Sequence, residues 1–559
     1  MNKKTTENIV LEEYENEFSF KKSKSNLNIQ FNRIAFIFFI FLTISIIYSI
    51  QLLHLGSLKS NLKEFKYKIS KENYRADIID RNGNYLVKSV RSIDIGISPI
   101  DIIDKKKLLI NLKLIFPDKN YLEIKKKINK NKFFKFEKQI SQENYQKIMS
   151  LGDKSIRSEE KLTRLYPQKN LYSHIIGQID NNNNGISGLE KSFDANLKNS
   201  EKPIQLTLDT NIQFLIREEL LRFNSIFKSK GSAAILMDSQ NGEILSLVSV
   251  PDYDLNKRKK IVDVNYINRA TKGVYEFGSV FKTFTIAAGL NEKIIDPETK
   301  FLDLEKELNC AGFPIREYDK NLSTNLSVEE ILIKSGNVGS VKIGQKLGVE
   351  SFKNFLNEIG VLGEISFDIE EIGNPQSVTW GKCKLVTASF GHGINTNLLQ
   401  LAKGYAIISN GGYDINPTLI KKNFNQQKKR IISEDASKKI NSILRKIVLT
   451  GTAKLANVNG YEIGGKTGTA NKTIEGGYSK KKINTFVSIF PTSNPKFVFA
   501  VLMDEPQING DYIYEYRDGS GFKLKGTPRN TAGWTSVEVA GKIIEKIGPI
   551  LATKYMEIN

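Results

Sequence analysis

Three short elements combine a hydroxyl with lysines in a way that supports nucleophilic chemistry: Ser279-Val280-Phe281-Lys282, Ser335-Gly336-Asn337 and Lys466-Thr467-Gly468-Thr469. A serine hydroxyl is a weak nucleophile until a neighbouring base takes its proton. A lysine serves as that base once burial or a second cation pulls its pKa down from about 10.4. The offset of three between Ser279 and Lys282 puts both on one face of a helix, one turn apart. Lys466 is available as the second cation. Taken singly, the elements carry little. Ser-x-x-Lys also begins at Ser19, Ser60, Ser225 and Ser479, Ser-x-Asn recurs at Ser323, and Lys-Thr-Gly after Gly464-Gly465 also fits a turn at a strand edge. A histidine triad is disfavoured, because His54 lies in an apolar run, His174 far upstream, and His392 in a Gly-His-Gly that reads as structural. Cys310, Cys383 and three scattered histidines have no metal-ligand spacing, so neither a metal nor another cofactor is expected.

Position matters more than composition for these elements. Gly278-Ser279 stands where the apolar run Val280 to Ala288 would begin a helix, so free backbone N–H groups and a favourable dipole lie beside the hydroxyl. Helix is expected to about Asn291, and again from Val328 to Ser335. Ser232 to Met237 and Glu243 to Val248 are short apolar runs joined by Asp238-Ser-Gln-Asn-Gly242, a hairpin signal. Ile483 to Phe490 and Lys496 to Met503 read as neighbouring strands separated by Pro491 and Pro495. Strands first, helices in the middle and strands last predict a mixed α/β (α+β) domain whose sheet is assembled from both ends of its sequence.

The chain has 559 residues, room for two to four domains of about 150 residues, with 40% hydrophobic and 26% charged residues. Those values argue against a polytopic membrane protein and against a disordered chain. A formal charge of +21 raises nucleic acid, phospholipid and acidic polymers as partners. No interleaved basic-aromatic stripe supports nucleic acid. Between Arg33 and Lys59 run 25 uncharged residues, about 37 Å as a helix, enough for one membrane span. A cleaved signal peptide fits poorly, since 33 mostly polar residues precede the span. Basic residues flank both sides, so the positive-inside rule decides no orientation. From 60 to 200 the chain is lysine-rich, with strand-like pieces at Asp77 to Asp80 and Asp94 to Ser98 and helical stretches at Lys105 to Leu114 and Tyr121 to Asn129.

The ordered set Ser-x-x-Lys, Ser-x-Asn, Lys-Thr-Gly, at separations of 56 (335 − 279) and 131 (466 − 335), is the signature of penicillin-interacting serine enzymes. More closely, the chain resembles a class B penicillin-binding protein of the cell-division (FtsI) type. The likeness runs from the anchor to about 550, through Arg75-Ala-Asp-Ile-Ile-Asp-Arg-Asn-Gly83, Arg164-Leu-Tyr-Pro167, Gly185-Ile-Ser-Gly-Leu-Glu190, Asn268-Arg-Ala270, Tyr275-Glu-Phe-Gly-Ser279, Ser389-Phe-Gly-His-Gly393 and Met503-Asp-Glu-Pro506. Two departures stand out: Ala76 where many relatives have Gly, and Phe277 where many have Pro. Phe277 favours the division branch over the elongation branch.

The resemblance implies a peptidoglycan D,D-transpeptidase with a central antiparallel sheet flanked by helices. Ser279 would attack the D-Ala-D-Ala carbonyl with Lys282 as base, and an amine on a neighbouring stem peptide would resolve the acyl-enzyme. Ser335 would relay a proton, Asn337 would orient the substrate amide and hold Lys282, and Lys466 would add positive potential. Thr467 and Thr469 would bind the donor carboxylate, and Gly468 would let the substrate backbone approach the strand. The N–H groups of Ser279 and Thr469 would form the oxyanion hole. The preference for Ser335 over Ser323 rests on the family pattern Ser-x-Asn-Val-Gly, matched at Ser335 to Gly339. The implied organisation is a cytoplasmic tail (1–33), an anchor (34–58), a non-catalytic pedestal (59–204), a transpeptidase domain (205–550) and a C-terminal tail (551–559). The N-terminus would be inside and the catalytic domain outside the cytoplasmic membrane. In that oxidising space a Cys310 to Cys383 disulfide is possible. Implied partners are stem peptides, β-lactams, an FtsW-type glycosyltransferase and divisome proteins. The rival readings are an elongation-specific relative, a serine β-lactamase, a membrane-bound β-lactam sensor and an idle divisome scaffold. A β-lactamase usually lacks an anchored pedestal. A sensor would carry extra spans, and a scaffold has no need of three intact motifs.

Overall fold

The structure is a computed structural model that describes residues 27–57, 74–257, 263–376, 378–421, 429–474 and 477–556. It divides into two units, residues 1–72 and 73–559. In the first, helix α1 (Leu27–Ser57) begins seven residues before the apolar run expected at 34. Its segment Arg33–His54 is long and apolar enough to cross a membrane by length and composition. Phe36, Phe41, Leu52 and their neighbours are exposed, an arrangement stable only where the surroundings are themselves apolar.

In the second unit, strand β1 (Tyr85–Ile97) pairs antiparallel with β2 (Ile156–Leu165) and, at its far end, with Phe134–Glu137. The expected helices appear as Lys105–Ile115, capped by Asp104, and Tyr121–Asn129, capped by Asn120. β2, reading Ile-Arg-Ser-Glu-Glu-Lys-Leu-Thr-Arg-Leu, escapes a sequence reading because only Ile156, Thr163 and Arg164 are buried. Ile95, Ile97, Leu108, Leu112, Ile124, Ile128, Phe136, Ile148 and Ile156 close a small core of their own. The rest of the expected pedestal does not. Ala76, Ile78, Leu86, Tyr166 and Ile176 belong to the core of the catalytic region. The expected 204/205 boundary runs through the strand Ile204–Gln205, whose Ile204 pairs parallel with Ile78. Packing therefore runs through this boundary, and the insert from about 93 to 156 has its own small core. Motif residues far apart in sequence meet at this join: Arg75 and Arg164 both bind the Glu190 carboxylate at 2.7 Å, with all three side chains at most 1% exposed.

Helix α2 (Thr210–Ile226), capped by the Asp209 carboxylate, leads into the hairpin of β3 (Gly231–Asp238) and β4 (Ile244–Val250). A helical middle follows: α3 (Lys282–Asn291), α4 (Val328–Ile333), α5 (Asn337–Leu347), α6 (Lys382–Ala388), α7 (Leu398–Ser409) and α8 (Glu434–Leu449). Strands β5 (Gly464–Ile474), β6 (Gly477–Phe490) and β7 (Phe497–Asp504) then complete a five-stranded antiparallel sheet in the order β5-β6-β7-β3-β4. The sheet is thus assembled from both ends of the domain, as the sequence predicts. Every residue of β3, β4 and β7 is buried, because helices cover both faces. α2 packs with the last helix, α9 (Ser536–Tyr555), and α7 packs with α8. α9 continues through the expected 550/551 boundary: Leu551 is buried, and the Tyr555 hydroxyl donates to Asp209 at 2.6 Å. Arg269, also in a motif, pairs with Asp504 of β7 at 3.0 Å with both side chains buried.

Candidate active site

The nucleophile's turn is built before its helix. Gly278–Phe281 is a 3-10 turn running directly into α3, which places Ser279 at the helix entrance and Lys282 one turn further on. Two close backbone approaches fix that turn. A Cβ on Gly468 would stand 2.1 Å from the Phe277 carbonyl oxygen, and one on Gly391 would stand 1.9 Å from that of Gly278. Gly468 is therefore required by the packing of the turn against β5. Gly391 gives the Ser389 to Gly393 motif its structural role.

Ser335 owes its place to the end of α4. The N–H of Gly336 donates to Ile331 O and that of Ser335 to Leu332 O, the two bonds of a Schellman ending. Such an ending puts its C′ residue in the left-handed region, where glycine is usual, yet here it is Ser335 at φ 59°. The turn aims both the carbonyl and the hydroxyl of Ser335 at the lysines. Lys282 Nζ donates to Ser335 O at 2.5 Å, to Ser335 Oγ at 3.2 Å and to Asn337 Oδ1 at 2.6 Å. From β5, Lys466 Nζ donates to the same Oγ at 3.0 Å and to Thr467 O at 3.1 Å. Among the described residues no hydrogen bond joins Ser279 to Lys282, so the free site holds Lys282 on Ser335 and Asn337. Asn337 Nδ2 donates to Arg316 O at 2.7 Å, which leaves its second N–H for another carbonyl.

Both lysines are fully buried. Burial lowers the pKa of Lys282 to about 7, against the opposing charge of Glu317. Lys466 is pushed well below the ordinary lysine range, first by burial and then by the charge of Lys282. Desolvation is the main cause for both lysines, and repulsion between them acts on the pair. Two ammonium groups on either side of one hydroxyl disfavour double protonation. The His392 ring lies tilted against Phe390 at 4.8 Å between ring centres, and burial with the nearby Lys282 charge lowers its pKa.

The remaining predicted residues lie along β5. Thr469 Oγ1 accepts the Ala532 N–H at 2.9 Å, so its own proton points elsewhere. Thr467 Oγ1 shares a 2.8 Å hydrogen bond with Thr452 Oγ1. Thr469 O lies 3.0 Å from the Cβ position of Gly278, so β5 borders the nucleophile's turn. All eight predicted residues thus converge: Ser279 and Lys282 on one helix entrance, Ser335 and Asn337 across from them, Lys466 to Thr469 on the sheet edge. Sequence reasoning missed Thr452, Ala532 and Glu317, which no motif marks. Cys310 and Cys383 form a disulfide, with Cα atoms 5.7 Å apart. No group of three metal-binding side chains occurs among the described residues.

Comparison with known proteins follows this geometry. The penicillin binding protein transpeptidase domain family matches residues 232–520, and the penicillin-binding protein dimerisation domain family matches residues 70–219. The chain is 28% identical over 501 residues to the probable peptidoglycan D,D-transpeptidase FtsI of Caulobacter vibrioides, covering 86% of this chain and 82% of that one. It is 30% identical over 418 residues to the probable peptidoglycan D,D-transpeptidase PenA of Neisseria meningitidis, covering 68% and 70%. In fold it is similar to the crystal structure of penicillin binding protein 3 from Mycobacterium, complexed with aztreonam: TM-score 0.63, 20% identity, 85% of this chain and 97% of that chain.

Proposed function

The chain belongs to the class B penicillin-binding proteins, FtsI-type peptidoglycan D,D-transpeptidases, and we propose that it works through an acyl-enzyme on Ser279 at the division septum. Lys282, in the neutral form that burial makes accessible, takes the Ser279 proton as the hydroxyl attacks the penultimate D-Ala carbonyl. The carbonyl oxygen gains negative charge between the N–H groups of Ser279 and Thr469, a contribution of roughly 3 to 4 kcal/mol per donor in other enzymes. Ser335, bonded to both lysines, returns a proton to the leaving D-Ala nitrogen. Thr467 and Thr469, with Lys466 behind them, hold the terminal carboxylate. The free N–H of Asn337 orients the donor amide. An amine on a second stem peptide then attacks the ester, loses its proton through the same route and regenerates Ser279. A β-lactam enters the first half of this cycle.

The observation that carries the reading is a buried Lys282 whose hydrogen bonds go to the neutral oxygens of Ser335 and Asn337. Fluorescent penicillin should label the purified full chain covalently, and Ser279→Ala should abolish the label; label persisting in that variant refutes the assigned nucleophile. The N-terminus in, catalytic domain out orientation follows from a substrate outside the membrane. The domain plan is a tail (1–33), an anchor (34–58), a pedestal and a transpeptidase domain reaching Tyr555. Phe277 and the FtsI name of a relative support the septal role, with an FtsW-type glycosyltransferase and divisome proteins as partners. A fluorescent fusion concentrated at mid-cell is the expected result. Sidewall distribution assigns the chain to elongation instead.

A further inference from the structure

Glu317 lies at the end of a two-stranded hairpin, Glu307–Cys310 with Phe313–Arg316, that belongs to no motif. Its carboxylate accepts the backbone N–H of Asn337 at 2.6 Å through Oε2 and that of Val338 at 2.8 Å through Oε1. These are the first two N–H groups of α5, so the carboxylate sits where the helix dipole favours an anion. The residue before it, Arg316, offers the carbonyl that takes Asn337 Nδ2 at 2.7 Å. Backbone and side chain of Asn337 are therefore both held by two consecutive residues of one hairpin. Its remaining oxygen holds Lys282 at 2.6 Å.

The hairpin is itself anchored. Cys310 is bonded to Cys383 of α6, and Ile315 packs with Val341 of α5 and with Val386 and Phe390. The mount is thus clamped between the helix carrying Asn337 and the segment leading to His392.

We propose that Glu317 is a positioning residue of the transpeptidase, setting Asn337, and through it Lys282, in the geometry that accepts the Ser279 proton. This rests on the acyl-enzyme reading and adds to it a residue outside the three motifs. A carboxylate here has two effects of opposite sign. It fixes the base in place, and its charge holds the Lys282 pKa up against desolvation. The other charged or titratable groups facing Lys282 are Lys466 on β5 and His392 after α6, both with lowered pKa. Glu317 is therefore the negative charge that offsets burial there.

The test uses the full chain in detergent, with the second-order rate of fluorescent penicillin acylation measured from pH 5.5 to 9 and thermal melting recorded beside it. Covalent label on Ser279 of the wild type is confirmed by mass spectrometry first; its absence refutes the acyl-enzyme reading rather than the role of Glu317. Glu317→Ala should slow acylation at least tenfold across the profile. Glu317→Gln, which keeps an acceptor oxygen but not the charge, should recover much of the rate at high pH. Its acid limb should lie at lower pH than that of the wild type. Wild-type rates in both variants overturn the proposal. So do slowed rates with an unmoved acid limb and melting lowered in proportion, since that is the signature of a merely structural cap.

Discussion

Lys161 in the pedestal insert and Lys282 in the catalytic cleft are the same side chain in opposite surroundings. Lys161 is about one-third exposed and forms an ion pair with Asp94, a carboxylate only 2% exposed. That hydrogen bond helps hold the Asp94 pKa below its ordinary value although burial opposes it. Lys282 is wholly buried, its hydrogen bonds go to neutral oxygens, and burial brings its pKa to about 7. The join between the two regions teaches the same lesson with larger charges, since Arg75 and Arg164 are as buried as Lys282 but share Glu190. Charge is held firmly where a carboxylate makes the hydrogen bond. It is held loosely where neutral oxygens make it and a carboxylate acts only from a distance, and that makes a base.

The comparison breaks most completely if Lys282 cannot lose its proton. Lys282→Arg keeps a cation that does not deprotonate near neutrality, so penicillin acylation should fall on the order of 10³-fold. Near wild-type stopped-flow rates would refute its role as base. Next comes the buried pair at the join. Glu190→Ala leaves Arg164 buried without a carboxylate and Arg75 with Asp194 alone, and should cost about 3 to 5 kcal/mol in chemical denaturation.

Asn337→Asp converts the cleft into a copy of the pedestal by placing a carboxylate where Oδ1 now accepts from Lys282. The Lys282 pKa should rise, which moves the acid limb of the acylation profile upward. For a shift of one to two units the rate at pH 7 falls about 5- to 50-fold. In the unaltered chain, acylation should rise as pH increases through about 7, because the neutral amine is the base. A flat profile there would contradict the assignment. The smallest effect belongs to Lys161→Ala, which leaves the buried Asp94 carboxylate only Lys135 at 3.5 Å as a cation, and should lower stability by about 1 to 3 kcal/mol and leave acylation untouched. A kinetic effect would mean that the insert communicates with the cleft.

Much of this was legible in the chain itself. The hairpin of β3 and β4 announced itself by two apolar runs and a Gly-containing turn, and the neighbours β6 and β7 by apolar runs separated at prolines. The strand β2 did not, since its six central residues Arg157 to Leu162 show no apolar alternation. At 204 the pattern of the sequence changes while the packing runs through, which no local reading shows. Ser279 and Lys282 were readable as one helix turn, but the Schellman ending that turns Ser335 toward them uses a left-handed serine that local preference argues against.

The sequence alone determined which groups are present: one serine-lysine pair at a helix entrance, a second hydroxyl, an amide, a second lysine and one apolar span. Motif order sufficed for that, because spacing along a helix or strand is a local property. Only the tertiary structure decided what those groups are. Burial, the neutral oxygens that accept from Lys282, and the hairpin placing Glu317 under Asn337 all depend on segments far apart in the chain. A pKa is set by everything within a few ångströms, whatever its distance in sequence.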